Sequence, residues 1–308
     1  MITTICLNPC FDKTVELDSL TLGGLNRVRN IRVDPGGKGI NVAMDAQRLG
    51  LDVQCIGVMG EDGSAELSGM LDREGLRHRF LTVPGRVRTN LKVIQKGEKG
   101  TTELNETGTE IDSAHLKSFF ELASEETRDS DIVVINGSLP PMSPKGTYRD
   151  LMLSLEGKKC ILDTEGPELE LAAKNAHPFL IKPNLHEMEV TLGLELRTMR
   201  SIRDAALLFL QLGVEHTVIS MGSMGAMYVD HEKTLFAPAL RIDAKCTVGA
   251  GDAMLAGMLL GYEKEGDMSR AFRYGVAAGA ASVMTEGTQL IVPPDFDRMV
   301  EQVRVQEV

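Results

Sequence analysis

Residues 178–193 read PFLIKPNLHEMEVTLG. A short apolar run meets a polar elbow at Lys182-Pro183-Asn184 and then a segment of helical period, HEMEVTLG. An apolar run of this length bounded by turn residues suits a buried strand, and the segment after it suits a helix. One such unit decides little, but the same order recurs along the chain. ITTICLN, DVQCIGV, DIVVING, KCILDT and HTVIS supply further strands, and KGINVAMDAQRLG, SAELSGMLDREG, SIRDAALLFLQLG and AMLAGMLLGYEKEG supply helices. Strand and helix in alternation predict an α/β fold: a mainly parallel sheet covered by helices on both faces.

The 308 residues are 43% hydrophobic and 25% charged, with a net charge of −11. That balance is ordinary for a globular protein. The acidic excess argues against nucleic acid or an anionic membrane as the main partner, because both need a basic footprint. It leaves room for an anionic small molecule held by a few local cations. No apolar run reaches the about 18 residues of a membrane span. MITTICLNP has the pattern of a first strand rather than of a signal peptide, so the cytoplasm is the expected location. The five cysteines, at 6, 10, 55, 160 and 246, form no CxxC pair and are expected as reduced core thiols. The six histidines form no HExxH array, which disfavours a zinc enzyme.

Two stretches break the rhythm. Residues 13–34 contain KTVEL and NRVRNIRVD, and residues 87–104 contain VRTNLKVIQ, KGEKG and TTEL. These short, polar, strand-like segments predict a small β-sheet built from two insertions, the second a hairpin turning at Lys96–Gly100. A lid over a binding site and a dimer-forming edge are both compatible with it, as are plain surface hairpins.

In an open parallel sheet, ligands bind beyond the C-terminal strand ends. Four strands here end in polar groups: Asn136-Gly137-Ser138, Asp163-Thr164, Lys182-Pro183-Asn184 and Ser220-Met221-Gly222. Together they predict a ligand crevice along one edge of the sheet. Glu187 follows Asn184 by three residues, one helical turn along the same face. The pair suits a hydrated Mg²⁺ ion, and by itself it suits a helix cap with an N3 glutamate better.

Three glycine-rich segments accompany these strand ends. PGGKGIN at 35–41 places Lys38 and three glycines before an amphipathic helix, where an anion is favoured. It is not a Walker A loop, since Gly39 follows Lys38 where Ser or Thr is required. ISMGSMGAM at 219–227 adds a turn at Gly222 and Gly225. TVGAGDAM at 247–254 precedes a helix of small residues, and Met254 stands where a GxGxxG motif needs glycine. The free N–H groups of that helix's first turn would form an anion hole for phosphoryl transfer. Asp252 within it reads equally as a helix cap and as a general base.

TVGAGDAM resembles the C-terminal signature of the ribokinase-like PfkB sugar kinases, and PGGKGINVA resembles their N-terminal glycine signature. LNPCFD, RTNLKV, INGSLPP, LIKPNLHE and ISMGSMGA match in family order, so the resemblance spans essentially the whole chain. LNPxxD, GGKGIN, RxN and GSLPP together look like the branch holding 1-phosphofructokinases, tagatose-6-phosphate kinases and the minor 6-phosphofructokinase. The resemblance implies a ribokinase-like three-layer sandwich over 1–308, with a β-lid that often pairs two subunits. It implies Asp252 as general base and the amides of Gly249, Ala250, Gly251 and Asp252 as the anion hole. Asp12, Gly37, Lys38, Asn41 and Asn90 would hold sugar hydroxyls, and Arg27, Arg88 and Ser138 the substrate's existing phosphate. Asn184 and Glu187 would arrange Mg²⁺ and its waters, with Lys182 at the ATP phosphates. Ser220, Gly222, Gly225 and Thr247 would flank the nucleotide. Two departures stand out. Cys246 replaces a small hydroxyl residue, which leaves a neighbouring monovalent-cation site open, and Met142 replaces a common glycine after SLPP.

The expected activity is ATP- and Mg²⁺-dependent phosphorylation of a ketohexose phosphate, with fructose 1-phosphate preferred on the strength of RVRTNLKV and LNETG (104–108). Tagatose 6-phosphate and then fructose 6-phosphate are the alternatives. A nucleoside or plain-sugar kinase is disfavoured by the basic trio Arg27, Arg88 and Lys92. A noncatalytic sugar-phosphate sensor is disfavoured by the retained Asp252, Asn184 and Glu187.

Overall fold

The computed structural model describes residues 1–97, 100–285 and 290–308. In chain order the strands are β1 (Ile2–Cys6), β2 (Cys10–Leu17), β3 (Asn30–Gly36), β4 (Val53–Asp62), β5 (Arg77–Arg86), β6 (Arg88–Gln95), β7 (Thr101–Asn105), β8 (Ile132–Asn136), β9 (Lys159–Asp163), β10 (Leu180–Ile181), β11 (His216–Ser220), β12 (Ala226–Val229), β13 (Thr234–Ala237) and β14 (Gln306–Glu307). The helices are α1 (Lys38–Arg48), α2 (Ser64–Arg73), α3 (Ser113–Glu126), α4 (Thr147–Ser154), α5 (Gly166–Ala176), α6 (Leu185–Leu192), α7 (Met199–Gln211), α8 (Ala250–Glu265), α9 (Met268–Ser282) and α10 (Pro293–Gln302).

Among the described residues ten strands form the main sheet, in the order β14-β13-β12-β11-β10-β9-β8-β1-β4-β5. The run from β11 to β5 is parallel, and β12 to β14 continue it antiparallel. All five residues of β1 and of β8 are buried, so both faces of these strands are covered. Successive side chains of a strand point to opposite faces, and the core divides accordingly. Ile132 and Val134 of β8 pack with α1, α2, α8, α9 and α10, while Val133 and Ile135 pack with α3 to α7. Burying each such side chain stabilises the fold by roughly 1.5–3 kcal/mol, and the result is three layers, helix on sheet on helix. All five cysteines are buried and free. Among the described residues no helix is long and apolar enough to cross a membrane.

A separate four-stranded sheet has the order β3-β2-β6-β7. Its β2 starts at Cys10, earlier than the polar stretch suggests, and pairs parallel with β6 although the two are some 70 residues apart in the chain. The turn expected at Lys96–Gly100 lies partly outside the described residues.

Candidate active site

The C-terminal ends of the parallel strands open onto a cavity of about 1010 Å³. β1, β8, β9 and β11 each deliver their last residue to it: Cys6, Asn136, Asp163 and Ser220. The small sheet forms the facing wall. Asp12 on β2, Arg88, Asn90 and Lys92 on β6, and Glu103 and Asn105 on β7 all line the cavity. Their spacing of two residues puts them on one face of that sheet.

Of the residues expected at the site, Asp12, Gly37, Lys38, Asn41, Arg88, Asn90, Ser138, Lys182, Asn184, Glu187, Ser220, Gly222, Gly225 and Thr247 line this one cavity. Gly249, Ala250, Gly251 and Asp252 join them. Arg27 does not. It lies exposed in the connection between β2 and β3, where its position in the chain carries no strand register to aim it inward.

Gly249 precedes α8 with φ +84°, a left-handed conformation that favours glycine, and a Cβ there would meet open space. Asp252 sits in the first turn of α8 and is buried. Its side chain does not cap the helix; instead Oδ2 accepts a hydrogen bond from Asn41 Nδ2 at 2.9 Å. Burial pushes the Asp252 carboxyl up to about 6. Asp163 adds to the shift, and Lys38, Asn41 and Lys182 oppose it.

Asp163 organises the cations. Its carboxylate lies 3.3 Å from Lys38 Nζ and 3.3 Å from Lys182 Nζ, and its side chain is wholly buried. Burial favours its neutral form, but Lys182 and Lys38 outweigh this and hold its pKa below the usual carboxylate value. Lys38 also lies 3.4 Å from Glu187 Oε1. Burial works against the Lys38 charge, and Asp163, Glu187 and Asp252 together reverse that and raise its pKa. Lys182 Nζ stands 3.1 Å from where a Cβ on Gly251 would be, so its ammonium group borders the free amides of α8, and the Lys38 charge acts on Asp252 in the same turn.

Asn184 and Glu187 form a complete capping box on α6. Glu187 N–H donates to Asn184 Oδ1 and Asn184 N–H donates to Glu187 Oε2, each at 2.8 Å. The cap reading of N-x-x-E is therefore correct, and it leaves Glu187 Oε1 directed to Lys38. Among the described residues no group of three or more His, Cys, Asp or Glu side chains forms a metal cage. A donor set this sparse fits Mg²⁺ that keeps its waters and takes other oxygens from phosphates.

At the far end Asp12 Oδ2 accepts from Lys92 Nζ at 2.7 Å, with both side chains 5% exposed. Arg88 is half-buried and donates to neutral acceptors: Asn8 O (2.9 and 3.1 Å), Asn90 Oδ1 (3.2 Å) and Glu106 O (3.0 Å). No ion pair with a carboxylate offsets its charge among the described residues, which makes the spot attractive to an anion. Asn8 Nδ2 donates to Ser138 Oγ at 3.2 Å and ties that loop to the same corner.

Sequence reasoning gave no role to Asn8, Glu103 and Asn105, took Asp163 only as one of the polar strand ends, and used Lys92 only as one of three cations. A signal existed for Lys92, since Arg88, Asn90 and Lys92 fall at strand spacing. The hairpin expected from VRTNLKVIQ and TTEL does pair β7 with β6, but nothing in the sequence turned Glu103 and Asn105 toward the cavity.

Met142 has φ +65° with its side chain 73% exposed. A left-handed backbone costs a non-glycine residue about 1–2 kcal/mol, and glycine returns part of that as unfolded-state entropy. Met142→Gly is expected to raise stability by about 0.5–1 kcal/mol, read as an increase in the urea midpoint. An unchanged or lower midpoint would show that the loop is not strained.

A family model described as pfkB family carbohydrate kinase matches residues 6–295. The 1-phosphofructokinase of Haemophilus influenzae is 33% identical over 307 residues, covering 99% of this chain and 97% of that protein. The 1-phosphofructokinase of Xanthomonas campestris is 35% identical over 260 residues, covering 83% and 82% respectively. Among solved structures, phosphofructokinase-2 from Escherichia coli in complex with fructose-6-phosphate superposes with a TM-score of 0.90 at 26% identity, covering 98% of both chains. The same enzyme in complex with potassium gives a TM-score of 0.92 at 28% identity, again covering 98% of both.

Proposed function

The chain belongs to the pfkB family of carbohydrate kinases and is an ATP-dependent sugar-phosphate kinase, and from that premise we propose that it converts fructose 1-phosphate to fructose 1,6-bisphosphate. Arg88 carries the phosphorylated half of this reading, because a half-buried guanidinium held only by neutral acceptors attracts a phosphate. Near full-length similarity to curated 1-phosphofructokinases supports the choice of sugar.

Asp252 takes the proton of the free primary hydroxyl, whose oxygen then forms a bond to the γ-phosphorus of ATP. The bond from that phosphorus to the β–γ bridging oxygen breaks, and ADP leaves with the electron pair. A carboxyl titrating near 6 is ionised at neutral pH and remains basic enough to accept the proton. The first-turn amides of α8, with Lys38 and Lys182 beside them, stabilise charge on the transferring group. Asp12, Asn41, Asn90, Gly37 and Lys38 border the space for the sugar, and Ser220, Gly222, Gly225 and Thr247 the space for the nucleotide. Asn184 and Glu187 would hold Mg²⁺ through water, and the ion would neutralise phosphate charge.

ADP release measured with fructose 1-phosphate, tagatose 6-phosphate, fructose 6-phosphate and ribose tests this reading. The highest kcat/KM is expected with fructose 1-phosphate. Robust turnover of ribose with none of the phosphates would overturn it.

The small sheet supports a homodimer. Its cavity face is polar, whereas Ile31, Val33 and Leu104 alternate onto the other face and are exposed. Apolar residues on the outer face of an open sheet suit a second copy of the same surface. Ile31→Arg is expected to shift the protein to monomer in sedimentation velocity; a dimer of unchanged affinity would exclude this face.

A further inference from the structure

Asn136 ends β8 in the centre of the main sheet and is 1% exposed. Among the described residues neither its amide nitrogen nor its amide oxygen has a hydrogen-bond partner. An unpaired buried polar atom costs about 1–3 kcal/mol, and an apolar residue of similar size would avoid that cost. The topology names a partner. β8 and β9 are parallel with Asn136 opposite Asp163, so both side chains leave the same face of the sheet, the face that α1 covers.

Asp163 is wholly buried, and among the described residues its Oδ2 also lacks a hydrogen bond and is held by the 3.3 Å ion pair to Lys182. Its other oxygen depends on Lys38, which is shared with Glu187. These two ammonium groups are the ones that incoming phosphates would attract. As they turn to the phosphates, Asp163 loses its counter-charges inside a medium that penalises a bare carboxylate.

We propose that Asn136 is a positioning residue for phosphoryl transfer, donating its amide N–H to Asp163 Oδ2 as Lys38 and Lys182 turn to the phosphates. Asp163 then stays ionised and in place, and both lysines remain aimed along the α8 amides. This rests on the reading that the two lysines face ATP phosphates.

The test compares Asn136→Leu and Asn136→Ser with wild type, measuring kcat, both KM values, the pH profile of kcat and the unfolding temperature. Loss of an outer partner of a reacting group lowers activity about 10–100-fold. The leucine variant should show that loss in kcat, with both KM values within about twofold, and its acidic limb should move to higher pH. Its unfolding temperature should be unchanged or raised, because unpaired polar atoms have been removed. Serine, which keeps a donor, should restore part of kcat. Wild-type kcat and pH profile in the leucine variant would overturn the proposal, as would a kcat loss matched by a fall in unfolding temperature in both variants. A wild-type protein that turns over no sugar phosphate would instead sink the kinase reading beneath it.

Discussion

Asp252→Asn is expected to lower kcat by about 10²–10⁴-fold with a much smaller change in KM, the cost of losing a positioned general base. The asparagine keeps the shape and can still meet Asn41, so binding of sugar and nucleotide should survive. In the wild type kcat should rise with pH through about 6, where the buried carboxyl ionises, and be lost as pH falls below it. Asp45 also titrates high, pushed to about 7 by burial, but it does not line the cavity. The variant separates the two, since its residual rate should have lost the step near pH 6. Stability should move the other way. An unfolded aspartate titrates at about 4, so raising the folded value to about 6 makes ionisation unfavourable to folding above pH 4, fully so above 6. Asp252→Asn should therefore unfold at a higher temperature than wild type at pH 8 and at about the same temperature at pH 4. Near-normal turnover in this variant would remove Asp252 from the reaction.

Lys92→Met is expected to destabilise the protein by about 3–5 kcal/mol, because it leaves the Asp12 carboxylate buried without its cation. The pair is 2.7 Å apart and each side chain is only 5% exposed, so solvent screens little of the loss. The double variant Asp12→Leu/Lys92→Met should recover most of it, since apolar side chains of similar volume replace a buried pair at little net cost. Urea midpoints of the two single variants and the double variant form the cycle. A Lys92→Met protein within about 1 kcal/mol of wild type would mean that water reaches Asp12.

Several elements were legible because local chemistry specifies them. The all-buried strand ITTIC, the strand KCILD and the helix SIRDAALLFLQ carry their period in their own residues, and the structure places each within a residue or two of its expected span. TVGAGDAM was legible as a helix start, because Gly249 supplies the left-handed turn. Other elements were not. β5 and β14 lie at the edges of the main sheet, where exposed polar residues blur the strand period, and β14 has only two residues.

The site divides along the same line. Sequence by itself determined the three-layer alternation and which strand ends carry polar groups, because hydrophobic period and turn chemistry are properties of neighbouring residues. It could not decide whether Asp252 caps a helix or faces a ligand. It could not pair Asp163 with two lysines from α1 and the end of β10, aim Arg88 at neutral acceptors, or exclude Arg27 from the cavity. Those outcomes depend on Coulomb and hydrogen-bond contacts between groups as many as 211 residues apart, as Asn41 and Asp252 are. Such contacts exist only once parallel strands bring their C-terminal ends together, so only the tertiary structure could supply them.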